Sequence, residues 1–272
     1  MSAKKKPQPT AQRWVIVSDL HCGATTGLTS EPNNAIQKAL FARWADAIAH
    51  FGSAPDVVIC NGDAIDGLDR LGRDIDETSM FQQAQKAADL LAMWQAKREY
   101  VIISGTPYHV GADAEEMERA VVSHLHYLQP EVKSAFTRKW KCDINGWFRL
   151  DARHKIGRSN VPYGKSTAQV RAKISNVINA AMAAARKGKQ PEWPHLTVFS
   201  HVHYYNYQED SFGAVMSTPS WLAYGSRYGD TECEGWCDVG AVQLVIQPTE
   251  EAGWQLSKRL YPASMVSRME HR

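Results

Sequence analysis

The sequence predicts an α/β fold whose first half is parallel and whose second half is antiparallel. Two observations predict it. Short apolar runs alternate with helical stretches as far as residue 128, and an Asn145-Gly146 pair then opens a region of closely spaced strands. Strand–helix alternation builds βαβ units around a parallel sheet. Asn-Gly between two strand-like segments is the strongest short-range hairpin signal. The chain has 272 residues, 44% of them hydrophobic, which suits one large α/β core.

The elements follow in order. Residues 14–17 (Trp-Val-Ile-Val) are a buried strand. A polar loop at 23–33 leads to a helix with its stripe at Ile36, Leu40, Trp44, Ala47, Ile48 and Phe51, Pro32 standing where a first turn tolerates it. Residues 57–60 form the next strand, bounded by Pro55 and Gly62, and a helix is expected over 78–97. Residues 100–103 are the third strand. Asp113 with Glu116 makes a capping box for a helix running to Leu128. Residues 139–144 and 147–152 are the hairpin strands. Ser166 with Gln169 opens a further helix with its stripe at Val170, Ile174, Val177, Ile178 and Ala181, closed by Gly188. Strands are expected at 196–200, 214–217 and 239–246, with 255–261 pairing back as the last. No repeat or linker divides the chain, so one domain over 12–272 follows a flexible basic tail at 1–11.

Composition excludes several classes. A formal net charge of +2 and a pI near 8.2 do not by themselves announce a nucleic-acid binder. No apolar run would span a bilayer, so no membrane association is expected. Lys4-Lys5-Lys6 resembles the start of a signal peptide, but residues 7–13 are polar and supply no apolar region. The five cysteines (Cys22, Cys60, Cys142, Cys233 and Cys237) are odd in number and loosely spaced, which fits free thiols in a reducing, cytoplasmic setting. Cys233 and Cys237 could clip a zinc ion, but no second pair completes a tetrahedral site.

The chemistry collects at strand ends. The first strand runs into Ser18-Asp19-Leu20-His21, the second into Asn61-Gly62-Asp63-Ala64-Ile65-Asp66, the third into Gly105-Thr106-Pro107-Tyr108-His109. Ligands of open α/β sheets bind at the carboxyl ends of the strands, so these clusters should share one crevice. Carboxylates and imidazoles are costly to bury there unless paired or metal-bound. In extended chain, residues i and i+2 project to the same side, so Asp19 with His21 can grip one ion, and His201 with His203 another. His124 and His126 have the same spacing but lie in an expected helix, about 200° apart around its axis, and cannot chelate together. His124 falls on the apolar stripe and is read as a core or boundary histidine. His50, His195 and His271 are read as structural or surface residues. Taken singly, Asp19 could be a simple cap and Asp63 to Asp66 simple turn chemistry.

Taken together, Asp19-Leu20-His21, Gly62-Asp63-Ala64-Ile65-Asp66, a histidine after the third strand, His154 and Ser200-His201-Val202-His203 occur in the order of the calcineurin-like metallophosphoesterase superfamily. The sequence resembles that family from about residue 13 to 246. The resemblance implies a four-layer α/β/β/α sandwich, two mixed β-sheets face to face with helices outside. It implies that Asp19, His21 and His203 hold one metal, that Asp63 bridges, and that His154 and His201 hold the second. Asp66 would fix an imidazole by hydrogen bond. The family's third motif normally reads Gly-Asn-His; here Thr106 stands where the Asn ligand is expected and His109 comes two residues late. His109 either faces the substrate as general acid or supplies the missing ligand.

Two divalent ions about 3.5–4 Å apart clamp a phosphate and lower the pKa of a shared water. Mixed Asp/His ligation suits manganese first, then iron, zinc or nickel, better than calcium. Arg153 and Lys155, with Arg158 and Lys165, flank His154 and either rim a phosphate cleft or form a solvated basic edge. Tyr204, Tyr205, Tyr207, Trp221, Tyr224, Tyr228 and Trp236 could stack nucleobases, though packing between the sheets is the preferred reading for most. The expected function is metal-dependent hydrolysis of a phosphodiester, with nucleic acid as one candidate substrate. The alternatives are a phosphomonoesterase on the same metals and a metal-degenerate binding scaffold.

Overall fold

The structure is a computed structural model that describes residues 10–68, 75–106, 114–157, 164–223 and 237–262. Among these residues eleven strands and four helices alternate: β1 (Gln12–Val17), α1 (Ala35–Phe51), β2 (Val57–Asn61), α2 (Met80–Ala92), β3 (Glu99–Ile103), α3 (Ala114–Leu128), β4 (Lys133–Thr137), β5 (Trp140–Ile144), β6 (Phe148–Ala152), α4 (Thr167–Arg186), β7 (Leu196–Phe199), β8 (Asn206–Asp210), β9 (Gly213–Ser217), β10 (Val239–Ile246) and β11 (Trp254–Tyr261). One sheet has the order β11-β10-β1-β2-β3-β4 and the other β5-β6-β7-β9-β8. Both are mixed: β1 to β4 run parallel while β10 and β11 are antiparallel, and β6, β7 and β9 are parallel between antiparallel edges.

The period-2 geometry of the strands sorts the chain into four layers. In β1, Trp14 and Ile16 face the second sheet while Val15 and Val17 face the helices; Val57 and Ile59 oppose Val58 and Cys60 in β2 in the same way. The inter-sheet core receives Phe148, Leu150, Leu196, Val198, Ala214 and Met216 from the second sheet. The outer core takes Leu40 and Trp44 from α1, Leu90 and Leu91 from α2, and Val121 and Leu125 from α3. Both faces of the parallel strands are therefore dry, which is why they read as unbroken apolar runs. Trp44 is fully buried with edge contacts to Trp94 and Trp221 at 5.6 and 4.9 Å. A buried side chain of that size contributes at least about 1.5–3 kcal/mol.

Local signals decide the element ends, with several departures from expectation. Asn34 caps α1 by accepting from the Gln37 amide at 2.9 Å, so Pro32 lies before the helix rather than in its first turn. The second helix is shorter than expected: Ser79 caps it, and it gives way after Ala92 to a turn that buries Trp94 and puts Gln95 at a φ of 54°. Asn145 and Gly146 take φ values of 55° and 78°, the left-handed pair of a tight hairpin between β5 and β6. Asp113 lies outside the described residues.

The expectation for α4 is overturned on two counts. Ser166 is itself in the helical region and makes no capping bond, and Gln169 is buried, accepting from Asn206 instead. The predicted stripe is not the buried one: Ile174 and Ile178 are 48% and 53% exposed, whereas Lys173 is buried, its ammonium bonded to the Gly213 carbonyl and paired with Asp210 at 2.7 Å. Lys173 and the Gln169 side-chain carbonyl find partners on that face, and tertiary pairing overrides apolar periodicity. Gly188 does close the helix, at a φ of 59°, with the Lys189 and Gly188 amides returning to the Ala184 and Ala185 carbonyls. Strands β4 and β8 carried no sequence signal. Both are half-exposed edge strands of polar composition, the chemistry that edges favour.

Candidate metal centre

Every predicted ligand follows the carboxyl end of a strand: Asp19 and His21 after β1, Asp63 after β2, His154 after β6, His201 and His203 after β7. The two sheets lie face to face, so these ends meet along one rim. The structure gathers the six residues into two groups of donors able to hold an ion, Asp19 with His21 and His203, and Asp63 with His154 and His201.

Backbone conformation aims them. Five of the six stand at positive φ: Asp19 at 51°, His21 at 47°, Asp63 at 47°, His201 at 74° and His203 at 57°. Non-glycine residues rarely occupy that region, at a cost of about 1–3 kcal/mol each, and such residues concentrate at functional sites. The surroundings hold them there. The Asp19 and His21 amides donate to the Gly62 and Asp63 carbonyls at 3.0 Å, and the Trp221 and Asp238 amides hold the carbonyls of Asp19 and His203. The extended-chain expectation that His201 and His203 grip one ion together is therefore wrong. Kinked backbone sends His203 to Asp19 and His201 to Asp63, the division that the family resemblance implied.

In the first group Asp19, His21 and His203 are fully buried. His203 Nε2 stands 3.2 Å from Asp19 Oδ1 and 3.4 Å from His21 Nε2. Ligand atoms about 2.0–2.1 Å from a tetrahedral ion stand about 3.4 Å apart, so this spacing suits a shared cation. Asp66 is where it was expected, its Oδ1 accepting from His21 Nδ1 at 2.8 Å, which turns the Nε2 lone pair inward. Burial alone would raise the Asp19 pKa, but the neighbouring His203 imidazole outweighs it and holds the carboxyl at about 2.

In the second group His154 Nδ1 donates to the Asn61 carbonyl at 2.7 Å, leaving Nε2 directed at Asp63 Oδ2, 3.0 Å away. His201 Nδ1 stands 4.0 Å from the same oxygen. Burial lowers the His154 pKa, but Asp63 and Asp19 overcome it and raise the imidazole to about 9. Asp19 Oδ1 and His154 Nε2 are buried atoms that face a charged partner at angles making no hydrogen bond. Lone pairs left in this way fit a cation between the donors better than they fit an ion-pair network.

Two glycines give the side chains room. A Cβ on Gly62, at a φ of 91°, would collide with the His154 ring, and one on Gly105 would collide with Asp63. Thr106 donates to Asp63 from its amide at 2.6 Å and from its hydroxyl at 3.2 Å. In this structure it therefore orients the carboxylate. One buried residue escaped sequence reasoning. Glu118, on α3 beneath the third strand's loop, accepts from the Gly105 amide at 2.9 Å, and burial with the nearby Asp63 charge raises its carboxyl to about 7. The signal was a lone glutamate on a helix, indistinguishable from a solvated one.

Of the remaining predicted residues, Arg153 and Lys155 line a cavity beside His154. His109 and Arg158 lie outside the described residues, as do Tyr224, Tyr228, Trp236 and Cys233. Lys165 sits over the Tyr204 ring. Trp221 is buried, but on the helix side of the first sheet rather than between the sheets. His124 is the boundary residue expected, 3.4 Å from Asp89, and His195 accepts from the Arg149 amide. Cys22, Cys60 and Cys142 are free thiols.

Two mixed sheets flanked by helices, with two Asp/His triads along the carboxyl ends of their strands, match the sandwich and the ligand grouping that the sequence resemblance implied. The sequence matches no protein-family model and no curated protein. Among solved structures, Vps29 from Cryptosporidium parvum is 11% identical over 93% of this chain and 98% of its own, with a TM-score of 0.46. A novel archaeal phosphodiesterase is 9% identical over 92% and 99%, with a TM-score of 0.44. Vps29 from Entamoeba histolytica complexed with zinc is 10% identical over 91% and 98%, with a TM-score of 0.41. These likenesses are too distant to carry an argument about activity, and the functional reading rests on the chain's own residues. No helix among the described residues is long and apolar enough to cross a membrane.

Proposed function

We propose that the chain hydrolyses phosphoesters with two divalent metal ions, one held by Asp19, His21 and His203 and the other by His154 and His201, with Asp63 bridging. The observation that carries this reading is the pair of donor triads, built from four separate loops and held by backbone that is costly to maintain. When bound, two such ions polarise a phosphoryl group and acidify the attacking water. The chain's own residues do the rest. Asp66 and the Asn61 carbonyl fix the His21 and His154 tautomers, Thr106 fixes Asp63, and Arg153 and Lys155 supply positive charge for the phosphate. His109 is the proposed proton donor to the leaving oxygen.

Mixed nitrogen and oxygen donors favour manganese, with iron, zinc or nickel as substitutes. A phosphodiester is the favoured substrate class and nucleic acid a candidate within it, because the cationic flank extends beyond what one phosphate needs. A cytoplasmic setting, suggested by the free thiols, belongs to the same proposal.

Manganese-dependent turnover of bis-p-nitrophenyl phosphate should exceed that of the monoester, and preference for the monoester would overturn the diester assignment. Asp63→Asn should lower turnover by more than about 100-fold and reduce bound metal. Unchanged metal content and turnover in that variant would remove the basis for calling the protein an enzyme.

A further inference from the structure

Beside His154 lies a cavity of about 460 Å³, lined by Gly105 and Glu115 together with Arg138, Lys139, Arg153 and Lys155. That volume is in the range of small-molecule sites and exceeds what a single phosphate fills. Three of its four cations, Arg138, Lys139 and Arg153, are anchored rather than loose. Asp151 is a fully buried carboxylate whose Oδ2 stands 3.2 Å from Lys139 Nζ, 3.2 Å from Arg153 Nη2 and 3.8 Å from Lys141 Nζ. Arg153 also donates to Asn176 Oδ1 at 3.0 Å and lies over the Phe199 ring. Arg138 is held by both carboxylate-directed nitrogens on Glu115. Much of the entropy cost of ordering these side chains is thus already met in the free protein.

The charges do not cancel. Among the described residues, Arg138, Lys139, Lys141 and Arg153 share only Glu115 and Asp151 within this cluster, Lys155 adds a further positive charge to the lining, and Glu115 is shared with Arg119. Burial, with Arg153 and Lys141 close by, depresses the Lys139 ammonium below its ordinary value despite Asp151. A crowded, partly desolvated positive cluster is relieved by an anion.

We propose that this cavity is a subsite for a second phosphate, so that the substrate is a nucleotide strand whose scissile diester carries a neighbouring phosphate. The inference rests on the phosphoesterase reading and refines it. His154 belongs to the second triad and lines the cavity, so a group seated there is continuous with the phosphate at the metals. A lone small diester would leave the subsite empty.

The test compares the dinucleotides pTpT and TpT on the full chain, as kcat/KM with manganese and as affinity for the metal-free protein. The extra phosphate should gain about tenfold in both, the scale of one charge-assisted contact, and the gain should shrink with salt. Lys155→Gln and, separately, Lys139→Gln should bring the pTpT/TpT ratio towards one. A ratio near one in the unaltered protein, or a ratio that survives in both variants, would overturn the subsite. Thymidine diphosphate bound by the metal-free chain as tightly as pTpT would overturn the strand assignment in favour of a nucleoside polyphosphate. If metal-loaded protein hydrolyses neither a phosphodiester nor a phosphomonoester, the phosphoesterase reading fails. The metal-free affinity ratio still decides the subsite in that case.

Discussion

The two triads are built from the same residue types on the same rim, yet they differ in closure. Asp19, His21 and His203 are sealed from solvent, with donor atoms 3.2 to 3.4 Å apart and an imidazole pinned by Asp66. In the second triad the His201 side chain is 19% exposed and stands 4.0 Å from Asp63, and a cationic cavity opens against His154. Structural metal sites are closed while catalytic ones keep an open position. The first triad is a preformed cradle. The second is open to solvent at His201 and is braced by Thr106 of the third-strand loop.

The largest test of that contrast is Gly62→Ala. The added methyl meets the His154 ring at a backbone φ that alanine resists, so the variant should lose metal at the second triad and keep it at the first. Metal analysis should fall from two ions per chain towards one, with stability lowered by about 1–3 kcal/mol. Loss of both ions would show that the triads are not separable. Asp66→Asn attacks the other side. It should weaken metal binding at the first triad by about 10–100-fold while the second is spared, readable by competitive chelator titration.

Protonation sharpens the difference. In the metal-free chain the His154 imidazole titrates at about 9, above its unfolded value, so its stabilising charge is fully present below pH 6.5 and fades as pH rises through about 9. Asp19, held at about 2, is already ionised throughout. Loading the second triad below pH 9 should therefore release a proton that loading the first does not owe to Asp19. Calorimetry in buffers of different ionisation enthalpy would count it, and an absence of proton release would contradict the arrangement. The smallest effect is expected at Glu118. Its carboxyl is raised to about 7 from an ordinary 4.5, so its contribution to stability is lost as pH climbs through that window. Glu118→Gln keeps an acceptor for the Gly105 amide and removes the charge. The melting temperature of the metal-free variant should vary less between pH 4.5 and 7 than that of the parent.

Much of this was legible in the chain because local chemistry coincided with global need. The β1 to β3 runs are apolar on both faces and announced a buried parallel sheet, and Asn145-Gly146 announced its hairpin through a left-handed backbone that few other pairs tolerate. The ligand residues were visible as polar groups clustered where apolar strands stop. The stripe on α4 misled because Lys173 and Gln169 found partners in the fold and were buried in place of Ile174 and Ile178. Strands β4 and β8 stayed hidden because edge strands need no apolar face.

The sequence by itself determined most of the elements, since hydrophobic periodicity and turn chemistry act over a few neighbouring residues, and the resemblance of its motifs implied the six side chains that meet at the rim. Tertiary structure fixed the pairing of histidine with aspartate, which spacing misread and only the resemblance implied, and it alone placed Glu118 beneath Gly105. Those choices follow from positive-φ kinks held by hydrogen bonds between loops far apart in the chain, such as the Asp19 amide on the Gly62 carbonyl. No spacing rule along one strand can encode a contact whose geometry is set by another.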